Sequence, residues 1–252
     1  MGRKSGPKQL KRMASPSYWP IHRKEYKWVT KPVPGPHKIS ECLPLLLALR
    51  ESLRYANTQK EAAIILAERK VKVDGKIVVD GRFPVGLMDV VEIPDLGIAF
   101  RVLPSPKRGL MLHPITGDET TFKLCKIKNK TSIKKGMIQL NLHDGRNLII
   151  PVKDPKKPEE DIYKASDIIK LGIPKQEVLS HLKFEEGLFA VVTRGKNAGQ
   201  YGKILTIQMG VGSLPNFVTL ESREGARMQT VLNYIFALGK EVPWISLPEV
   251  VK

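Results

Sequence analysis

Between residues 194 and 203 the chain reads Arg194-Gly195-Lys196-Asn197-Ala198-Gly199-Gln200-Tyr201-Gly202-Lys203, three cations and three glycines in ten positions. Glycine permits sharp turns and close backbone approach, so this spacing suits a loop whose N–H groups and cations meet a phosphate. It does not suit nucleotide hydrolysis. The glycines do not follow GxGxxG, and no Ser or Thr follows a Gly-Lys pair at P-loop spacing.

Residues 1–38 offer related chemistry in another form. They hold Arg3, Lys4, Lys8, Lys11, Arg12, Arg23, Lys24, Lys27, Lys31 and Lys38 against Glu25 alone, interleaved with Tyr18, Trp19, Tyr26 and Trp28. An aromatic ring can stack on an unpaired base while Lys and Arg hold phosphates, so Trp19 and Trp28 with these cations are candidate RNA contacts. The segment lacks helical or strand periodicity and is rich in Gly, Pro and Ser. Alone it buries too little surface to offset its chain entropy, and it is expected to order only against a partner.

The remaining reactive side chains form no such pattern. His22, His37, His113, His143 and His181 are scattered without HExxH or other metal spacing, which predicts satisfied surface or core roles. Asp118, Glu119, Glu159 and Glu160 come as adjacent pairs in expected loops and read as solvated charge. Cys42 and Cys125 are far apart and belong to no CxxC pair, so both read as buried thiols of a cytosolic protein. No catalytic residue, metal ligand, cofactor or small-molecule substrate is predicted.

Composition points the same way. Lys and Arg number 42 against 25 Asp and Glu, a formal net charge of +17, and about half of that excess lies in residues 1–38. A polyanionic partner follows from such a balance. With 42% hydrophobic residues the chain has material for folded cores, which excludes wholesale disorder. The apolar run from Cys42 to Leu49 is far shorter than the roughly 20 residues a membrane span needs, and no secretory signal is visible.

The elements that must position these residues are short. Cys42, Leu46, Leu49, Leu53 and Ala56 alternate four and three apart, which predicts one amphipathic helix. Thr58-Gln59-Lys60-Glu61 reads as a capping box opening a second helix that runs to about Arg69. Its free N–H groups and positive dipole, with Lys60, could receive a phosphate. Val71 to Val79 is a β-hairpin about Asp74-Gly75, along which Lys70, Lys72 and Lys76 extend the basic face. Strands are expected at 89–93 and 98–103.

Short strands then recur at 109–115, 120–127, 137–142 and 147–152, with a hairpin at Asp144-Gly145, and predict a small β-barrel or sandwich. The run from Lys153 to Pro158 is a basic, Pro-stiffened loop. Strands at 189–193, 203–207 and 217–221 make a further β module, followed by strand and extended chain around 231–238 and 244–247.

With Glu186-Gly187 and its flanking strands, the 194–203 loop resembles a KOW motif, a β-turn-β element that packs on RNA, with Gly199 on its central glycine. The segment from Cys42 to Ile93 resembles an alpha-L RNA-binding domain, matching at Thr58 to Ala62 and Lys70 to Lys76. Basic aromatic tail, alpha-L unit, central β region and KOW element occur in the order of the ribosomal protein S4e family. Gly35-Pro36-His37-Lys38 and Pro243-Trp244-Ile245-Ser246-Leu247-Pro248 add to that resemblance. The compact tail ending soon after Pro248 looks archaeal rather than eukaryotic.

The resemblance implies an α+β, multi-module architecture: a basic extension (1–38), an alpha-L domain (39–103), a central β-barrel-like domain (104–180), an SH3-like KOW module (181–225) and a C-terminal extension (226–252). It implies a cytoplasmic, non-enzymatic constituent of the small ribosomal subunit, partnered by small-subunit rRNA and neighbouring ribosomal proteins. Arg194, Lys196, Asn197, Gly199 and Lys203 join the RNA-contacting set. An RNA-modifying enzyme with an alpha-L domain would need an aspartate motif, and none is found after residue 104. A KOW-bearing transcription factor would instead have RNA polymerase as its partner.

Overall fold

A computed structural model describes residues 7–106, 109–152, 161–212, 214–222, 225–240 and 242–248. The architecture is mostly β-sheet with few helical turns. Two short strands, β1 (Leu10–Lys11) and β2 (Trp28–Val29), pair antiparallel near the start. Between them Trp19 is only 4% exposed and packs with Leu43, Leu46, Leu47 and Ala62. Its Nε1 donates to the Cys42 carbonyl at 2.8 Å, and the Tyr18 hydroxyl donates to the same oxygen at 2.9 Å. The expectation of a tail without strands, ordered only by a partner, is therefore corrected for residues 7–38. One large ring with its N–H satisfied supplies an anchor that period-based reading does not register.

The predicted helix over 42–56 is also corrected. Cys42–Pro44 is a strand, β3, followed by α1 (Leu45–Leu47) and a π-helical turn at Ala48–Ser52. Pro44 sits at φ −58° and ψ 136°, and proline disfavours helical geometry in the residue before it, so Leu43 extends. The apolar spacing still serves burial, with Cys42, Leu46, Leu49 and Ala56 all in the core. The second helix, α2 (Gln59–Ala67), carries the predicted capping box and buries Ala62 and Leu66.

Strands β4 (Lys72–Val73) and β5 (Lys76–Ile77) flank Asp74 and Gly75, whose φ angles of 49° and 71° match the two positive values of a tight hairpin turn. β6 (Pro84–Gly86) pairs with β3. β7 (Val90–Ile93), β8 (Ile98–Ser105) and β9 (Gly109–Ile115) complete a five-stranded antiparallel sheet in the order β5-β4-β7-β8-β9.

The second five-stranded sheet runs β12-β11-β10-β13-β14, built from β10 (Phe122–Ser132), β11 (Ile138–Leu142), β12 (Asn147–Ile150), β13 (Ile168–Gly172) and β14 (Val178–Leu182). The third runs β18-β17-β16-β15-β19, from β15 (Phe189–Val192), β16 (Tyr201–Gln208), β17 (Phe217–Ser222), β18 (Arg227–Val231) and β19 (Ile235–Gly239). Strands β13, β14 and β18 lie outside the runs that sequence patterning marks as strands. The chain after residue 226 supplies two of the third sheet's five strands.

These sheets share a core. Met88 and Leu103 from the first, Phe122, Leu124 and Ile168 from the second, and Val191, Leu220 and Phe236 from the third form one buried cluster. A buried ionic cluster ties the same region. Lys123 Nζ lies 2.9 Å from Asp74 Oδ2 and 3.0 Å from Asp144 Oδ2, and it also pairs with Asp89. His37 Nε2 meets Asp89 Oδ2 at 3.0 Å, and Arg146 pairs with Asp74 and Asp144. One lysine thus joins the β4–β5 turn, the β6–β7 connection and the β11–β12 turn, with the N-terminal segment attached through His37. Burial opposes its charge, but Asp89, Asp74 and Asp144 hold the Lys123 ammonium well above its ordinary pKa.

Candidate nucleic-acid interface

In the N-terminal segment Lys8, Lys11, Lys24 and Lys27 are exposed, Lys27 lying over the Trp28 ring at 5.4 Å. Trp28 and Tyr26 are 46% and 66% exposed and remain available as stacking rings. Three members of the predicted set take other positions. Trp19 belongs to the core, and Arg23 donates to the carbonyls of Ser15 at 3.1 Å and Met13 at 3.4 Å. Arg12 is 3% exposed, pairs with Glu25 at 3.5 Å and lies beneath Tyr26 at 5.2 Å. Arg3 and Lys4 lie outside the described residues.

Tyr26, Lys27 and Trp28 form one wall of an open cleft of about 1110 Å³. Arg54, Thr58 and Gln59, at the entrance to α2, line it as well, as does Arg82. Arg12 contributes its side chain from below, with a buried Nε that has no hydrogen-bond partner among the described residues. Arg54 and Arg82 carry no sequence signal, and Arg82 pairs with Asp80 at 3.3 Å, whereas Tyr26 is one of the rings interleaved with the N-terminal cations. Arg54 is exposed at φ 57°, a left-handed position that ends the preceding helical turn and carries no motif.

The start of α2 is less open to an anion than its sequence suggested. Thr58 Oγ1 accepts from the Glu61 amide at 3.2 Å, while Glu61 Oε2 accepts from the Asn57 amide at 2.8 Å and the Thr58 amide at 3.4 Å. These bonds hold the Glu61 carboxyl below its ordinary pKa, and they leave a carboxylate where a phosphate was expected. The positive contribution there comes from the exposed Lys60 side chain. Along the hairpin Lys76 is exposed, Lys72 lies opposite Glu92, and Lys70 pairs with Glu68.

In the 194–203 loop Lys196 and Lys203 are exposed, Asn197 is half-buried, and Arg194 pairs with Glu41. Gly199 is buried at φ 80°, and a Cβ there would meet Pro106 N at 2.3 Å and Ser105 C at 2.5 Å. Its lack of a side chain is accounted for by contact with the protein's own chain.

Cys125, His143 and Asp144 place ligand-type atoms within 4.8 Å of one another. Each already has a protein partner. His143 Nδ1 accepts from the Lys126 amide and Nε2 donates to the Leu87 carbonyl, both at 3.2 Å, and Asp144 accepts from Lys123 and Arg146. Burial drives His143 down to about 3, so the imidazole is neutral and structural.

These features define a basic, β-rich, multi-module protein whose exposed cations, among the described residues, are dispersed over several surfaces around a shared core. The description "Ribosomal family S4e" matches residues 96–178, and the "RS4NT (NUC023) domain" matches residues 4–40. A relative from Staphylothermus marinus, "Small ribosomal subunit protein eS4", is 47% identical over 99% of both chains. One of the same name from Methanocaldococcus jannaschii is 48% identical over 97% of this chain and 99% of its own. The crystal structure of the 30S ribosomal protein S4e from Thermoplasma acidophilum superposes with a TM-score of 0.66 at 32% identity, covering 79% of this chain and 96% of that one. The chain belongs to the ribosomal protein S4e family.

Proposed function

We propose that this protein is a structural constituent of the small ribosomal subunit that binds and stabilises small-subunit rRNA in the cytoplasm, beside neighbouring ribosomal proteins and without catalysis. The observation that carries this reading is the dispersal of exposed lysines free of ion pairs among the described residues: Lys11, Lys27, Lys60, Lys76, Lys196 and Lys203. They come from elements that the buried Lys123 cluster and the common core fix relative to one another. A rigid array of separated cations suits a folded polyanion whose phosphates are themselves fixed in space.

Within this reading, residues 39–103 act as an alpha-L-type unit and residues 181–225 as a KOW-type module. The cleft beside α2 receives unpaired nucleotides on Tyr26 and Trp28, with Lys27 and Arg54 at their phosphates. Filter binding of the purified chain to small-subunit and large-subunit rRNA at 0.15 M salt tests the assignment. Preference for the small-subunit RNA is expected, and equal affinity for both would refute specific binding to small-subunit rRNA.

A further inference from the structure

The outward face of β10, β11 and β12 carries chemistry that the cationic sites do not. Register places Asn129, Asn141 and Asn147 in one row across the three strands, and Thr131, Gln139 and Ile149 in the next. Residues two apart on a strand share a face, so all six point the same way. Leu140 and Leu142 alternate with them and fill the core on the other side. Asn141 Nδ2 donates to Asn129 Oδ1 at 2.8 Å, and Gln139 Nε2 donates to Asn141 Oδ1 at 2.7 Å. The amides are thereby held in line across three side chains, and each keeps donor or acceptor capacity beyond the bonds it makes.

We propose that this face docks into the minor groove of double-helical RNA. Of the five cations in residues 127–150, Lys130 pairs with Asp161 and Arg146 with Asp74 and Asp144, whereas Lys128 and Lys134 make no ion pair among the described residues, and the segment's one acid, Asp144, is buried in the Lys123 cluster. The surroundings therefore favour a polyanion while the centre is uncharged. Lys128 borders the face beside Asn129, and Lys134 lies exposed in the β10–β11 turn, both suited to flanking phosphates. None of the six residues is aromatic, so the face offers no platform for unpaired bases. It offers donors and acceptors in rows, which match the 2′-hydroxyls and base edges of the wide, shallow RNA minor groove. Ile149, 57% exposed between these polar groups, would rest on ribose carbons.

This proposal rests on the rRNA-binding reading and deepens it. Its test uses the full chain with a 20-bp RNA duplex and the DNA duplex of the same sequence at 0.15 M salt. Two variants are compared with wild type, the triple N129A/Q139A/N141A and Ile149→Glu, both confined to outward positions. The wild type should favour RNA; the triple variant should lose about tenfold on RNA, through removal of two or three hydrogen bonds, and almost nothing on DNA. Ile149→Glu should weaken RNA binding by bringing a carboxylate to the groove. RNA affinity unchanged in both variants overturns the proposal, as does a wild type that binds only single-stranded RNA. If incorporation into the small subunit falls while duplex affinity is unchanged, a protein occupies this face and the proposal fails, although the ribosomal reading survives. A wild-type chain absent from the subunit would instead defeat that broader reading.

Discussion

Gly199 and Pro106 meet so closely that no side chain fits between them. A Cβ on Gly199 would stand 2.3 Å from the Pro106 nitrogen, and the Gly199 amide is fixed by donation to the Val192 carbonyl at 2.8 Å. This close approach joins the basic loop of the third sheet to the chain just beyond β8. Gly199→Val should therefore destabilise the protein by about 2–4 kcal/mol, combining strain at positive φ with overlap against backbone that cannot move freely. Denaturant unfolding measures the effect. Wild-type stability would contradict the close approach.

Lys123→Ala removes the ammonium that pairs with Asp74, Asp89 and Asp144 and leaves buried carboxylates poorly compensated. Breaking such a cluster from one side typically costs about 3–5 kcal/mol, and a decrease in that range is expected from equilibrium unfolding. A cost below about 1 kcal/mol would mean that Arg146 and His37 suffice without it.

Acid should weaken the fold in two stages. Burial lowers His143 from 6.5 to about 3, so between those values the unfolded chain binds a proton that the folded chain refuses, and stability falls as pH drops below 6.5. For Asp144 burial acts upward, but Lys123, His143 and Arg146 draw it down from 3.8 to about 2. Its contribution is present above 3.8 and is lost as pH falls toward 2. His143→Asn should flatten the upper stage when unfolding free energy is followed against pH. An equally steep decline in that variant between pH 6.5 and 4.5 would assign the effect elsewhere.

Replacing Lys8, Lys11, Lys24 and Lys27 together with Gln should weaken rRNA binding and reduce its salt dependence while leaving thermal unfolding unchanged. Every phosphate that is no longer neutralised lowers the slope of log K against log salt by roughly 0.7–0.9. Deleting residues 1–38 is the poorer experiment, because it also removes Trp19 from the core and His37 from Asp89. An unchanged slope in the fourfold variant would remove this segment from the interface.

The sequence disclosed most where local chemistry decides the outcome. The capping box at Thr58 and the turn at Asp74-Gly75 are properties of four or five consecutive residues, and both formed as read. The helix over 42–56 failed because apolar spacing alone cannot tell a strand plus a short helix from one helix, while Pro44 held the decisive information. Trp19 illustrates a different limit. Its ring was equally suited to stacking on a base or filling a core, and only the partners at Leu43, Leu46 and Ala62, brought close by folding, decide between them. Lys123 shows nothing unusual in a chain with 42 basic residues, since its three carboxylate partners lie between 21 and 49 positions away. The outward amides carry no motif of their own, and their alignment required the register of three strands.

Sedimentation of cell extract after a high-salt wash decides whether the chain is a constituent of the small ribosomal subunit. The chain is expected to co-migrate with the small ribosomal subunit, retained by many separated contacts that salt does not release together. Recovery at the top of the gradient, or with RNA polymerase, would contradict that expectation.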